Sequence, residues 1–155
     1  MTDIFSKEKR TEIMKQVRSK NNISTEIKMS KLFKKYGIKG WRRQYNIIGK
    51  PDFAFPMLKL ALFIDGCFWH GHNCRNLKPK TNSAYWFNKI RKNKERDYRV
   101  SEYLKEKGWS VVRIWECKLK KSNEENLKNE LFQEISLAVK HKSDEKNFTQ
   151  TISYL

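Results

Sequence analysis

The residues able to do chemistry sort by spacing into two groups. The first is sulfur and nitrogen: Cys67, His72 and Cys74 follow one another closely, and Cys117, the only other cysteine, stands well downstream. A Cys3His set is the closed tetrahedral shell of structural zinc, with no position left for substrate. The glycine and asparagine between His72 and its neighbours make this stretch short and polar. The alternative is three buried cysteines serving as small apolar residues. The second group is oxygen plus one imidazole. Asp52 and Asp65 flank two apolar runs, Asp97 stands on the apolar side of a helical pattern, and Glu26 ends another apolar stripe. Carboxylates with water and a phosphate are what Mg²⁺ asks for in phosphodiester hydrolysis. His70 stands between the sulfur ligands, and a side chain with an ordinary pKa near 6.5 suits a general base at neutral pH. It is also an alternative zinc ligand to His72. Each acid has a structural counterpart: a turn cap for Asp52 and Asp65, an Arg or Lys partner for Asp97, a helix-dipole contact for Glu26.

Positioning these groups requires particular elements. Residues 6 to 20 read as a basic helix whose apolar patch, Ile13, Met14 and Val17, is too thin to fold alone. A second helix over 25 to 36 carries Met29, Leu32, Phe33 and Tyr36 on one face and stops at Gly37. Residues 41 to 48, 52 to 55 and 58 to 64 read as strands separated by Gly49-Lys50-Pro51 and Pro56-Met57, a meander with a nearly all-apolar last member. An antiparallel hairpin brings Asp52 towards the end of the run that leads into Asp65. A long helix over 82 to 106 places Ile90, Asp97, Val100 and Leu104 together, and a strand over 109 to 115 follows. Strand, crossover helix and strand imply a right-handed parallel unit. The strand ends at Ile64 and Trp115 then share one sheet edge, which lets Cys67, His72, Cys74 and Cys117 converge. A helix over 124 to 140 closes the domain, and the polar tail from 142 to 155 is expected to be loose. The sum is a single α/β domain, an α/β/α sandwich on a mixed sheet.

With 155 residues the chain can bury roughly 70% of its unfolded surface and needs no staple. It holds 34 Lys and Arg against 17 Asp and Glu, a net charge of +17, which points to an acidic polymer as partner. The excess peaks in the first 50 residues, with 14 basic to 4 acidic, so residues 1 to 20 are the expected DNA-gripping arm. No apolar run approaches a membrane span and the start lacks a signal-peptide core, so a cytoplasmic protein with reduced cysteines is expected. An odd cysteine count in that compartment favours metal over disulfide.

The run Phe63-Ile-Asp-Gly-Cys-Phe-Trp-His-Gly-His-Asn-Cys74, with Pro51-Asp52 before it and Trp115-Glu-Cys117 after it, closely resembles the very-short-patch mismatch-repair endonucleases. Arg10-Thr-x3-Met14-x3-Arg18-Ser-Lys20, Thr25-Glu26 and Trp86-x3-Ile90-x2-Asn93-x2-Arg96-Asp97 are similar to the same family, and the likeness covers about residues 7 to 120. It implies a restriction-endonuclease-like fold that nicks DNA 5′ to the thymine of a T:G mismatch left by deamination of 5-methylcytosine. It further implies that Asp52 and the Ile64 carbonyl hold Mg²⁺, that His70 activates water, and that Glu26 and Asp97 place metal-bound waters or orient His70. Zinc would go to Cys67, His72, Cys74 and Cys117. Phe68, Trp69 and Trp86 would form an aromatic wedge beside the mismatch, with Met14 approaching from the other groove; core packing is the alternative for the rings. The resemblance also implies mismatch-repair proteins and a companion cytosine methyltransferase as partners, and a monomer working at the nucleoid. One position departs from the wider nuclease superfamily, which places a lysine two residues after the second hairpin acid. Here that residue is Cys67, which shifts the base role to His70 and leaves the part of Asp65 open. Two rivals remain: a small restriction-type nuclease cutting both strands, and a non-catalytic zinc DNA-binding module.

Overall fold

The structure, a computed structural model, describes residues 23–74 and 82–152. The basic arm of residues 1 to 20, Met14 included, lies outside them. A π-helical turn, Ile23–Ile27, leads into α1 (Lys28–Lys35). Strands β1 (Arg42–Arg43), β2 (Phe53–Phe55) and β3 (Leu60–Asp65) follow, then the long helix α2 (Ser83–Glu106), strand β4 (Ser110–Trp115) and helix α3 (Glu124–Ile152).

The four strands form one mixed sheet in the order β1-β2-β3-β4. β2 lies antiparallel to β1 and β3, whereas β3 and β4 run parallel with Asp65 opposite Trp115. Every residue of β3 is buried, which is why its sequence is apolar throughout rather than alternating. Its two faces feed two cores. Leu60, Leu62 and Ile64 join Phe53, Phe55, Val112 and Ile114 under α1 (Met29, Leu32, Phe33) and α3 (Leu127, Leu131, Ala138). Ala61 and Phe63 face Leu104 and Val100 of α2 with Trp109 and Val111. Phe33, Trp41, Phe53 and Phe55 meet at ring separations of 5.1 to 5.7 Å, most of them edge to face.

Two elements differ from expectation. The strand foreseen over 41 to 48 shrinks to Arg42–Arg43, because Gln44 turns into the left-handed region (φ 51°) and breaks the ladder. The last helix does not stop at 140 but runs on to Ile152, across the tail expected to be loose. No Gly or Pro follows Lys140 to end it, and the Lys142 ammonium donates to the Met57 carbonyl on the far side of the β2–β3 turn. Gly49 shows the reverse case: with φ +78°, a Cβ there would fall 2.3 Å from Val100 Cγ1, so only glycine lets this loop lie against α2.

Candidate active site and metal centre

Two strand ends and one helix build the site. The β2–β3 register sets Phe53 opposite Leu62, so Asp52, one residue earlier, reaches the end of β3. Its Oδ2 accepts a hydrogen bond from the Ile64 amide at 2.7 Å. Burial pushes the Asp52 carboxyl up to about 6, opposed by that amide and assisted by the charges of Glu26 and Asp65. A carboxylate partly stripped of water, with two further acids near it, suits a bound cation.

Asp52 shares a cleft of about 880 Å³ with Glu26, Ile64, Asp65, Trp69, His70 and Asp97. Glu26, 5% exposed, is ion-paired with Arg43. Both Asp65 oxygens take hydrogen bonds from Arg113 Nη1, at 2.7 and 2.6 Å. His70 Nδ1 is hydrogen-bonded to Asp97 Oδ2, and Asp65 Oδ1 is 3.8 Å from the same nitrogen. A carboxylate partner at Nδ1 places the proton there and leaves Nε2 as the free lone pair. The arginine partner foreseen for Asp97 exists too, since Arg113 and Arg96 approach its Oδ1 at 3.4 and 3.2 Å.

The loop after β3 gathers three kinds of candidate residue within a short stretch: sulfur and imidazole ligands, His70 and two aromatic rings. Cys67, His72 and Cys74 meet Cys117, with all four ligand atoms within 4.8 Å of one another. Cys117 Sγ lies 3.6 Å from His72 Nδ1, against roughly 3.5 Å for the S–N edge of a tetrahedral zinc site. His72 also stacks flat on Trp115, with ring centres 4.3 Å apart. The donor set therefore fits zinc, and it is His72, not His70, that points to the sulfurs. Burial pushes the Cys67 thiol up to about 12, so a metal must displace its proton to bind. Gly71, with φ +65°, lets the loop settle on α2, where a Cβ would come within 2.7 Å of Ile90 Cγ2. Asn93 of α2 donates to the Trp69 carbonyl at 2.8 Å. Phe68, Trp69 and Trp86 touch one another edge to face, at 5.0 to 5.7 Å, and none of them is fully buried. They form a partly open aromatic cluster that reaches the cleft through Trp69 and belongs to neither core.

The residues missed by sequence reasoning are Arg113 and Arg43, which hold Asp65 and Glu26. Arg113 left a trace: it interrupts the apolar run Val111-Val112-Arg113-Ile114 on the strand beside Asp65.

The profile described as DNA mismatch endonuclease Vsr matches residues 2–76. The type II nicking enzyme V.XorIIP of Xanthomonas oryzae pv. oryzae is 42% identical over 120 residues, 77% of this chain and 88% of its own length. The DNA mismatch endonuclease Vsr of Escherichia coli is 34% identical over 121 residues, 77% of each chain. The chain belongs to the Vsr family. The type II nicking enzyme V.NmeAIP of Neisseria meningitidis, 38% identical over 121 residues, extends the same relationship. As a Vsr-family protein the chain is a DNA endonuclease, and the cleft that joins Asp52, His70 and Asp97 is its candidate active site. Among the described residues, no helix is long and apolar enough to cross a membrane.

Proposed function

We propose that this endonuclease nicks one DNA strand 5′ to the thymine of a T:G mismatch, working as a cytoplasmic monomer on restriction-endonuclease-like architecture. The observation that carries it is the placement of His70. It is oriented by Asp97, shares the cleft with Asp52, and lies next to Trp69 of the aromatic cluster.

Asp52 and the Ile64 carbonyl would hold Mg²⁺, which when bound supplies positive charge against the charge developing on the phosphate. His70 Nε2 takes the proton of the attacking water. Asp97 holds the ring in the productive tautomer and stabilises the imidazolium without taking the proton. Glu26, anchored by Arg43 and close enough to Asp52 to act on its charge, would place metal-bound water in the same cleft. The Cys67, His72, Cys74 and Cys117 site would hold zinc, whose role is to close the loop that carries His70. Phe68, Trp69 and Trp86 stack on bases exposed at the mismatch, where an unstable pair lowers the cost of unstacking.

The test is incubation with matched and T:G-containing duplexes, with and without Mg²⁺. One nick in the thymine strand, only on the mismatch and only with Mg²⁺, is the expected result. Cutting of both strands of matched DNA would replace this with the restriction-type activity, and binding without cleavage would replace it with a DNA-binding module.

A further inference from the structure

Arg113 stands across the parallel ladder from Phe63, and its guanidinium lies over that ring at 4.7 Å to enter the cleft. All three of its nitrogens are engaged there. Nη1 donates to both oxygens of Asp65, Nη2 lies 3.4 Å from Asp97 Oδ1, and Nε donates to Ser101 Oγ at 3.3 Å. A planar fork used in this way ties side chains together and keeps little donor capacity for a substrate phosphate.

The two carboxylates it ties are the two that compete for His70. Asp97 Oδ2 is in hydrogen-bond contact with His70 Nδ1, while Asp65 Oδ1 stands off at 3.8 Å. Asp65, His70 and Asp97 also have the disposition of a metal site, with one donor from each within 4.8 Å of the others. Two neighbouring carboxylates in a half-buried cleft attract cations strongly, and a cation there would consume an imidazole nitrogen. The guanidinium fills that electrostatic need from within the protein.

We propose that Arg113 is the positioning residue of this site: by committing Asp65 to itself, it leaves Asp97 as the sole acceptor for His70 Nδ1 and keeps the imidazole unligated. This rests on His70 being the base of the function proposed above. With its nitrogens committed to Asp65, Asp97 and Ser101, Arg113 acts through Asp65 and Asp97 rather than on the reacting atoms. Its removal should therefore harm the chemical step and spare DNA binding. Removing the Asp65 charge together with it should undo part of the harm, because the competitor has gone.

The experiment measures kcat and KM for nicking of a T:G duplex with Mg²⁺ by the parent, Arg113→Met, Arg113→Lys, Asp65→Asn, Arg113→Met with Asp65→Asn, and His70→Ala. Melting curves set a temperature at which every variant is folded. Arg113→Met should lower kcat on the order of 10²-fold with little change in KM. Adding Asp65→Asn should recover about tenfold of that loss, the size expected for coupled neighbours. Arg113→Lys, which keeps the charge but not the fork, should fall between Met and the parent. Should Arg113→Met not fold, the double variant and Arg113→Lys carry the comparison against Asp65→Asn. A parental kcat in the folded arginine variants, or a double variant no faster than Arg113→Met, overturns the proposal. His70→Ala separates the two layers. If it nicks at the parental rate, the base assignment itself is wrong; if it is slow while Arg113 variants are fast, only the role of Arg113 is lost.

Discussion

Replacing Asp52 by Asn should stabilise the protein in buffer without added Mg²⁺, by an amount that grows with pH. Burial raises this carboxyl from 3.8 to about 6, so the folded state favours the protonated acid. Its contribution to stability is fully present below the unfolded value, is lost as pH rises through the folded one, and levels off above it. At about 1.4 kcal/mol per tenfold change in proton affinity, the charged form costs the folded state roughly 2 to 3 kcal/mol at pH 8, after allowance for screening at the exposed edge of the cleft. At pH 4 the difference shrinks to well under about 1 kcal/mol. Asparagine is neutral throughout and its carbonyl can still accept from the Ile64 amide. For a domain of this size the gain at pH 8 corresponds to roughly 5 to 10 °C in melting temperature. Circular-dichroism melts of both proteins at pH 4, 6 and 8 measure it, without chelator, which would also strip the sulfur site. Titrating Mg²⁺ should then close the gap: the parent should gain about 2.7 kcal/mol at a hundred times its dissociation constant, and Asp52→Asn much less. Equal melting at pH 8, or equal stabilisation by Mg²⁺, would refute the assignment of Asp52 as the buried cation ligand.

Three further outcomes follow from the same geometry. Metal analysis of purified protein should find about one zinc per chain, and Cys117→Ser should lower the melting temperature markedly, since ligand binding and folding share one free energy; a folded, active protein without zinc would exclude that role. Trp69→Ala should reduce the preference for mismatched over matched duplex more than total DNA binding, in competition binding assays, and a uniform loss would return the ring to ordinary packing. Arg96→Ala, at the cleft edge of α2, should reduce the log-log salt dependence of DNA binding by about one phosphate's worth, a slope change near 0.9, and an unchanged slope removes Arg96 from the phosphate contacts.

The parts of the fold carried by local pattern were legible in the sequence. The β2–β3 hairpin follows from Pro-bounded apolar runs, and the parallel β3–β4 pair from a strand, long helix and strand order, which together bring Cys117 to Cys67 and Asp52 to Ile64. The partners of the acids were not legible, because an ion pair joins residues distant in sequence and leaves no periodicity. Arg113 and Asp65 lie on different strands, and Arg43 of β1 reaches back to Glu26 in the turn before α1. The short β1 and the extended α3 failed for a different reason. Propensity decides where a strong stop exists, but Gln44 takes a left-handed conformation without being glycine, and the residues after Lys140 contain no stop at all.

The parallel pairing of β3 with β4 joins residues about fifty positions apart, Leu60 with Ser110 and Asp65 with Trp115. The candidate site draws on both ends of that gap and on the stretch between them: Asp52 and Asp65 on the β3 side, His70 and Asp97 between the two strands, and Arg113 and Cys117 on β4 or just after it. Chains leave the ribosome N-terminus first, and long-range pairing is among the last events of folding. A nascent chain that has exposed its basic surface to nucleic acid still lacks the strand that disciplines its acids and the sulfur that closes its histidine loop. The candidate active site is therefore complete only when β4 docks on β3, and a chain truncated before Ser110 is expected not to nick DNA.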